Sequence, residues 1–407
     1  MSDPQSPPLI TTPAQLDELC ASIRSAGRFA FDTEFVSEQT YEPVLCLLQI
    51  ATTDRVAIVD PLALKRLDPF WEVLLDPSIE VVMHAAGEDL RIARQQTGRV
   101  PARVFDVQLA AGLLGYGYPL SHSNLVNQVL GVVVSGGETR TDWRRRPLSP
   151  GQLRYAADDV RYLLPIADAF RKRLADLGRS EWVEAELAEF LEEIRSRRDE
   201  DRWRRLPGLS QLSRRGLEVA RRLSGWRAED AKEQNRPLRY LLRDDLLVGI
   251  AKRQPTSRRE LEALRDFNRH QLLSRSGEIL DVIAEAQRVS ADQLPDHADR
   301  PEDGPGATMV ASLLSAALHQ CCTQEQMAVS LVSTTNDLKE LIRWYIQGRD
   351  PGRLPTLLTG WRRGVCGETL LDVLSGRRAV RVVDPTAEIP VALLPLESGT
   401  ESLEDAG

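Results

Sequence analysis

Residues 28–35, RFAFDTEF, carry the alternation that decides the fold. Side chains at i and i+2 of an extended strand share a face, so Asp32 and Glu34 project together while Phe31 and Phe35 turn toward a core. The runs LCLLQIA (45–51), RVAIVD (55–60) and IEVVMH (79–84) read as further strands. Helical patterns follow at KRLDPFWEVLL, AGEDLRIARQQ, DVQLAAGLLGYG and SNLVNQVLGV, and one long helix starts near Pro150 and ends near residue 175. Three successive strands followed by helix and strand in alternation predict a mixed sheet with helices on its faces.

Two more acidic elements fit that frame. In VVMHAAGEDLRIA, Asp89 sits about one turn into a helix that leaves a strand, within reach of the sheet end that bears Asp32 and Glu34. In GQLRYAADDVRYLLPIADAF, Tyr155 and Asp159 have the i, i+4 spacing of one helix face, beside an apolar stripe of Leu153, Ala156, Ala157, Val160, Leu163 and Leu164. Carboxylates that converge this closely repel one another unless a cation lies between them, and hard divalent ions with oxygen ligands meet that need. On spacing alone, Glu88 competes with Asp89 and Asp158 with Asp159. His84 and Gln49 read as packed, hydrogen-bonded core residues, and Trp143 and Trp226 as packing anchors. Arg144, Arg145 and Arg146 form a run suited either to phosphate or to solvent.

The chain has 407 residues and 42% hydrophobic content, enough for two or three cores. Its five cysteines show no C-x-x-C spacing, which argues against disulfides and a zinc site. No apolar run reaches the ~18–20 residues of a membrane span, and the first residues lack a secretion pattern, so a cytoplasmic protein is expected. Net charge is −8, yet residues 203–288 hold 19 Lys and Arg against 12 Asp and Glu. A local basic surface attracts phosphates whatever the global balance, because screening confines distant charges. Lys232, Arg236, Arg239, Arg243, Lys252 and Arg253 are its candidate phosphate contacts, joined by Arg144 and Arg145 of the first domain. The expected organisation is a catalytic domain at 1–175, a helical connector at 176–205, an all-α domain at 206–289, an acidic linker at 290–306, a second helical domain at 307–385 with a short strand at RAVRVVDP, and a disordered tail at 386–407.

The order of FDTEF, LCLLQIA, HAAGEDL, FDVQLAAGLLGYG, ETRTDWRRRPLS and QLRYAADDVRYLLPI resembles the tyrosine-containing branch of the DEDD 3′–5′ exonucleases, and ribonuclease D most closely. LSGWRAEDAKEQNRPLRYLLRDDLLVGIAKRQPTSRRELEAL resembles the HRDC module that follows the nuclease in that family, and LLTGWRRGVCGETLLDVLSG resembles its C-terminal helical domain. The resemblance implies an α/β ribonuclease H-like exonuclease domain followed by one or two small all-α domains. It makes Asp32, Glu34, Asp89 and Asp159 metal ligands for two Mg²⁺ or Mn²⁺ ions, with Tyr155 orienting the attacking water. It implies 3′–5′ exoribonuclease activity on RNA with a single-stranded 3′ end, tRNA precursors above all, with nucleoside 5′-monophosphates as products. No membrane or protein partner is expected. Two other functions share these motifs: a 3′–5′ DNA exonuclease, since metal and phosphate contacts do not distinguish the sugars, and a catalytically silent nucleic-acid-binding scaffold. The chain departs from the family pattern at Gly136, where a lysine is frequent, and at Thr141, which replaces a serine.

Overall fold

A computed structural model describes residues 7–134, 137–138, 141–196, 199–297, 303–387 and 389–396. The first domain runs β1 (Leu9–Ile10), α1 (Pro13–Ala26), β2 (Arg28–Val36), β3 (Val44–Ala51), β4 (Val56–Val59), α2 (Asp68–Leu74), β5 (Glu80–Met83), α3 (Gly87–Thr97), β6 (Val104–Asp106), α4 (Val107–Leu113), α5 (His122–Leu130), α6 (Pro150–Arg161) and α7 (Leu163–Asp176). Its six strands form one mixed sheet in the order β1-β4-β3-β2-β5-β6, antiparallel across β2–β3–β4 and parallel elsewhere. Phe29 and Phe31 of β2 pack with α1 and α2 on one face, while α6 covers the other.

The sequence reading missed β1, α1 and β6. Two- and three-residue strands carry no usable alternation, but α1 had a signal: Thr12 caps it in a capping box with Gln15, Pro13 opens it and Gly27 closes it at φ 69°. The single long helix expected from Pro150 is two helices, broken at Tyr162. Pro165 in the first turn of α7 has no amide to donate back into α6, and its ring excludes a continuous helix.

Residues 176–205 are more than a connector. Helix α8 (Ser180–Ser196) buries Val183 and Leu187 against α4 and α7, and Leu191 and Ile194 on the side of α3. The basic domain then folds around its own core as α9 (Arg214–Glu233), α10 (Leu238–Leu241), α11 (Asp244–Arg253), α12 (Arg258–Glu262), α13 (His270–Leu273) and α14 (Ser276–Arg288). It meets the first domain where Asn235 Oδ1 accepts from the Tyr41 amide at 3.3 Å and Arg239 donates to Glu38 O at 3.3 Å.

The last unit comprises α15 (Ala307–Gln324), α16 (Val329–Val332), α17 (Thr335–Ile346), α18 (Gly360–Arg362), α19 (Glu368–Leu374), β7 (Arg378–Val382) and β8 (Val391–Pro395). It shares one continuous core with α4, α5, α7 and α8 instead of standing apart. Two glycines of AAGLLGYG permit the contact: a Cβ on Gly112 would lie 2.7 Å from Leu331, and one on Gly115 (φ 80°) 2.6 Å from Gln326 O. Strand β7 falls in the RAVRVVDP run read as a short strand, whereas the tail expected to be disordered from residue 386 contains β8. Val391–Pro395 pair antiparallel with Arg378–Val382, setting Leu393 opposite Val380, so the apolar alternation of the tail finds a partner strand.

Candidate active site

The site forms where β2 outruns its neighbour. Pairing of β2 with β5 ends at Ala30–Val82, so Asp32 and Glu34 continue along an open edge, on the face covered by α6. Helix α6 starts with a capping box of Ser149 and Gln152, and its next turns direct Tyr155 and Asp159 toward the strand. One carboxylate oxygen each from Asp32, Glu34 and Asp159 lies within 4.8 Å of the other two. Asp89 approaches from the opposite side of the strand. It is buried, and Thr33 Oγ1 donates to its Oδ1 at 2.5 Å. Asp89 therefore adjoins the trio without belonging to its tightest cluster.

Asp106 positions Asp89. It ends β6 and caps α4 by accepting from the Gln108 and Leu109 amides, and it also accepts from Ala85 N at 3.1 Å and Ala86 N at 2.9 Å. That holds the turn into α3, where Ala85 has φ 56°. An aspartate at the head of DVQLAAG signals a cap, but its second grip, 20 residues upstream, leaves no trace in the sequence.

Electrostatics follow from this crowding. Burial raises Asp32 well above the usual carboxylate range, reinforced by the charges of Asp89, Asp159 and Glu34. Burial pushes Glu34 up to about 8, with Asp159 and Asp89 adding to it. Burial likewise lifts Asp159 to about 7, with Asp158 and Asp89 contributing. Asp89 rises to about 7 by burial, against the hydrogen bonds from Thr33. Among the described residues, no lysine or arginine figures among the charges acting on these four groups. Carboxylates packed together with oxygen ligand atoms and no lysine or arginine paired to them suit hard divalent cations.

The adjacent acids face elsewhere. Glu88 pairs with Arg91, and Asp158 accepts from Arg161 Nε at 3.2 Å. Tyr155 is half-buried, its ring centroid 6.0 Å from that of Trp143. His84 Nε2 donates to Leu120 O at 2.9 Å, and the His122 ring lies edge-on to it at 5.6 Å. His122 is a neighbour of the site that the sequence reading passed over: its Nδ1 stands 3.8 Å from Asp159 Oδ1, and burial lowers its pKa to about 4. Gln49 departs from its expected role, because neither polar atom of this buried side chain has a hydrogen-bond partner among the described residues.

The arginine run divides. Arg146 is structural, with Nε and Nη2 on Asp60 at 2.6 and 2.7 Å. Arg144 is held by Asp142 and Gln39, while Arg145 is exposed. Lys232, Arg236, Arg239, Lys252 and Arg253 lie on the surface of the basic domain, whereas Arg243 is engaged by Asp245 and Asp266. Thr141 donates to Glu138 O in its own loop and accepts from Gln152 Nε2 at the start of α6. Gly136 lies outside the described residues.

Residues 7–175 match the 3′–5′ exonuclease family and residues 216–283 the HRDC domain. A ribonuclease D of Gluconacetobacter diazotrophicus is 35% identical over 379 residues, spanning 92% of this chain and 95% of that protein. One of Cronobacter turicensis is 31% identical over 371 residues, spanning 90% and 99%. The crystal structure of Escherichia coli RNase D, described as an exoribonuclease involved in structured RNA processing, aligns with a TM-score of 0.79 at 28% identity, over 91% of this chain and 99% of that one. A mixed sheet that gathers acids from β2 and α6, in a chain so matched, defines a hydrolase of the 3′–5′ exonuclease class. Within that class, the chain belongs to the ribonuclease D family.

Proposed function

We propose that this chain is a 3′–5′ exoribonuclease that trims the single-stranded 3′ ends of structured RNA, tRNA precursors among them, in the cytoplasm. The convergence of Asp32, Glu34 and Asp159, with no lysine or arginine paired to them among the described residues, carries this reading. The preference for RNA is supported by the ribonuclease D relatives. Asp32, Glu34, Asp159 and Asp89 would hold two divalent ions, Mg²⁺ or Mn²⁺. When bound, such ions supply Lewis acidity at the scissile phosphate and make a bound water acidic. The Tyr155 hydroxyl would hold the attacking water in line, and the ring of Trp143 backs that of Tyr155. Thr33 keeps Asp89 oriented, and its hydrogen bond favours the ionised carboxylate. Lys232, Arg236, Arg239, Lys252 and Arg253 would grip the RNA body through its phosphates, with Arg144 and Arg145 nearer the nuclease. Functionally, 1–175 is the exonuclease and 206–289 the RNA-gripping module.

A 3′-extended tRNA, a matched single-stranded RNA and its DNA counterpart, each incubated with Mg²⁺, test the proposal. Shortening from the 3′ end with release of nucleoside 5′-monophosphates, faster on RNA, is expected. Preference for DNA rejects the substrate, and binding without cleavage rejects the enzyme.

A pH dependence follows from the same carboxyls. Between about pH 4 and 8 the native site retains protons that the unfolded chain has released, so the ion-free protein loses stability as pH rises through that window. Divalent ions offset this only where the carboxylates are ionised. The rise in Tm on adding Mg²⁺ should therefore be larger at pH 8 than at pH 6. An equal or smaller rise at pH 8, measured by calorimetry, contradicts an ion site built on these four acids.

A further inference from the structure

Directly across the sheet from Asp32 stands Gln49, its Cα partner on β3. Residues paired this way share a face, with Cβ atoms roughly 4.5–5.5 Å apart. Gln49 thus lies on the face that bears Asp32 and packs under α6. Leu47 and Ala51 flank it along β3, and Ile58 is its partner on β4. The side chain is fully buried, and among the described residues neither Nε2 nor Oε1 meets a hydrogen-bond partner.

An orphaned amide among Leu, Ala and Ile weakens a core that methionine or leucine would strengthen. The position gains nothing for the fold from its polarity. It does adjoin an acid whose charged neighbours among the described residues are Asp89, Asp159 and Glu34. A lysine or arginine there would satisfy Asp32 and compete with any divalent ion, whereas an amide supplies a donor and adds no charge.

We propose that Gln49 is a positioning residue for the exonuclease centre, joined to the Asp32 carboxylate by a buried water that fixes how Asp32 presents its other oxygen to a divalent ion. The amide Nε2 donates to the water, and the water donates to Asp32. Two to four polar partners are what a buried water requires, and Gln49 Oε1 offers a further acceptor. Partners behind a ligand orient it and tune its basicity. This inference rests on the reading of Asp32 as an ion ligand.

The test compares the full-length wild type, Gln49→Met and Asp32→Asn. Mn²⁺ binding is measured by calorimetry without RNA, kcat and KM on a 3′-extended RNA, and Tm in EDTA. Gln49→Met should weaken Mn²⁺ binding and lower kcat, each by about 10–100-fold. Its KM for RNA should stay within about twofold of wild type, because the phosphate contacts lie elsewhere. Its Tm in EDTA should rise. Wild-type Mn²⁺ affinity and kcat in Gln49→Met overturn the proposal, and so does a lowered Tm or loss of fold, which would make the amide a core hydrogen-bonder. If Asp32→Asn binds Mn²⁺ as the wild type does, the ion site itself is wrong and this inference falls with it.

Discussion

Asp32→Asn and Asp159→Asn should each slow 3′-end trimming in Mg²⁺ by on the order of 10³-fold, equivalent to ~4 kcal/mol of transition-state stabilisation. Each substitution keeps size and polarity but removes one of three carboxylates whose oxygens lie within 4.8 Å of one another. The remaining pair would hold a divalent ion with less charge and one ligand fewer. Stability should move the other way. Without ions, the Asp32 carboxyl is crowded by Asp89, Asp159 and Glu34, which together with burial raise its pKa, so Asp32→Asn should raise Tm in EDTA. Loss of activity together with gained ion-free stability separates a ligand from a scaffold residue, whose loss lowers both. Glu88→Gln and Asp158→Asn are the controls, since those side chains face Arg91 and Arg161. RNA affinity in EDTA should be unchanged in all four variants. Wild-type trimming by either active-site variant, or an equal loss in Asp158→Asn, would remove these residues from the centre.

What the chain revealed before folding depends on the range of the signal. Asp32 with Glu34, and Tyr155 with Asp159, were legible because strand and helix periods convert short spacings into shared faces. The choice of Asp89 over Glu88 was not legible from spacing. It depends on the turn at Ala85, which is fixed by Asp106. Gln49 looked like an ordinary core hydrogen-bonder because a buried central strand is apolar on both faces, so nothing in LCLLQIA marks one side as unusual. Only the register against Asp32 does that. The docking of the last unit onto the first was equally hidden. Arg179 donates to Leu113 O at 2.8 Å and to Glu325 O at 2.7 Å, joining segments 146 residues apart in the chain. Gly112 and Gly115 leave room for Leu331 and Gln326, but nothing in the sequence marks what approaches them.

Glu186→Ala should destabilise that docking by about 3 kcal/mol, a value set by the loss of one partner from a largely buried ion pair. Glu186 of α8 faces Arg362 of α18: Arg362 Nη2 donates to Oε2 at 2.8 Å and Nη1 pairs with Oε1. Both side chains are mostly buried, at 13% and 11% exposure. Trp361 Nε1 also donates to Glu186 Oε1 at 2.9 Å, and the Trp361 ring stacks on Trp182 at 5.2 Å with 14° between planes. Removing the carboxylate leaves a guanidinium and an indole N–H short of an acceptor inside the interface. Arg362 keeps its bonds to Leu331 O and Val332 O within its own unit, which limits the penalty. Paired replacement Glu186→Leu with Arg362→Met removes both charges together and should recover most of the stability. The site carboxylates lie on β2, α3 and α6, away from this pair, so kcat below the melting range should change little. Because the shared core includes α4, whose cap Asp106 holds the turn into α3, activity should fail together with docking on heating. Hydrogen exchange of α15 and α17, followed beside trimming activity across temperature, checks both halves. Unaltered exchange in Glu186→Ala would mean the ion pair does not hold the units together.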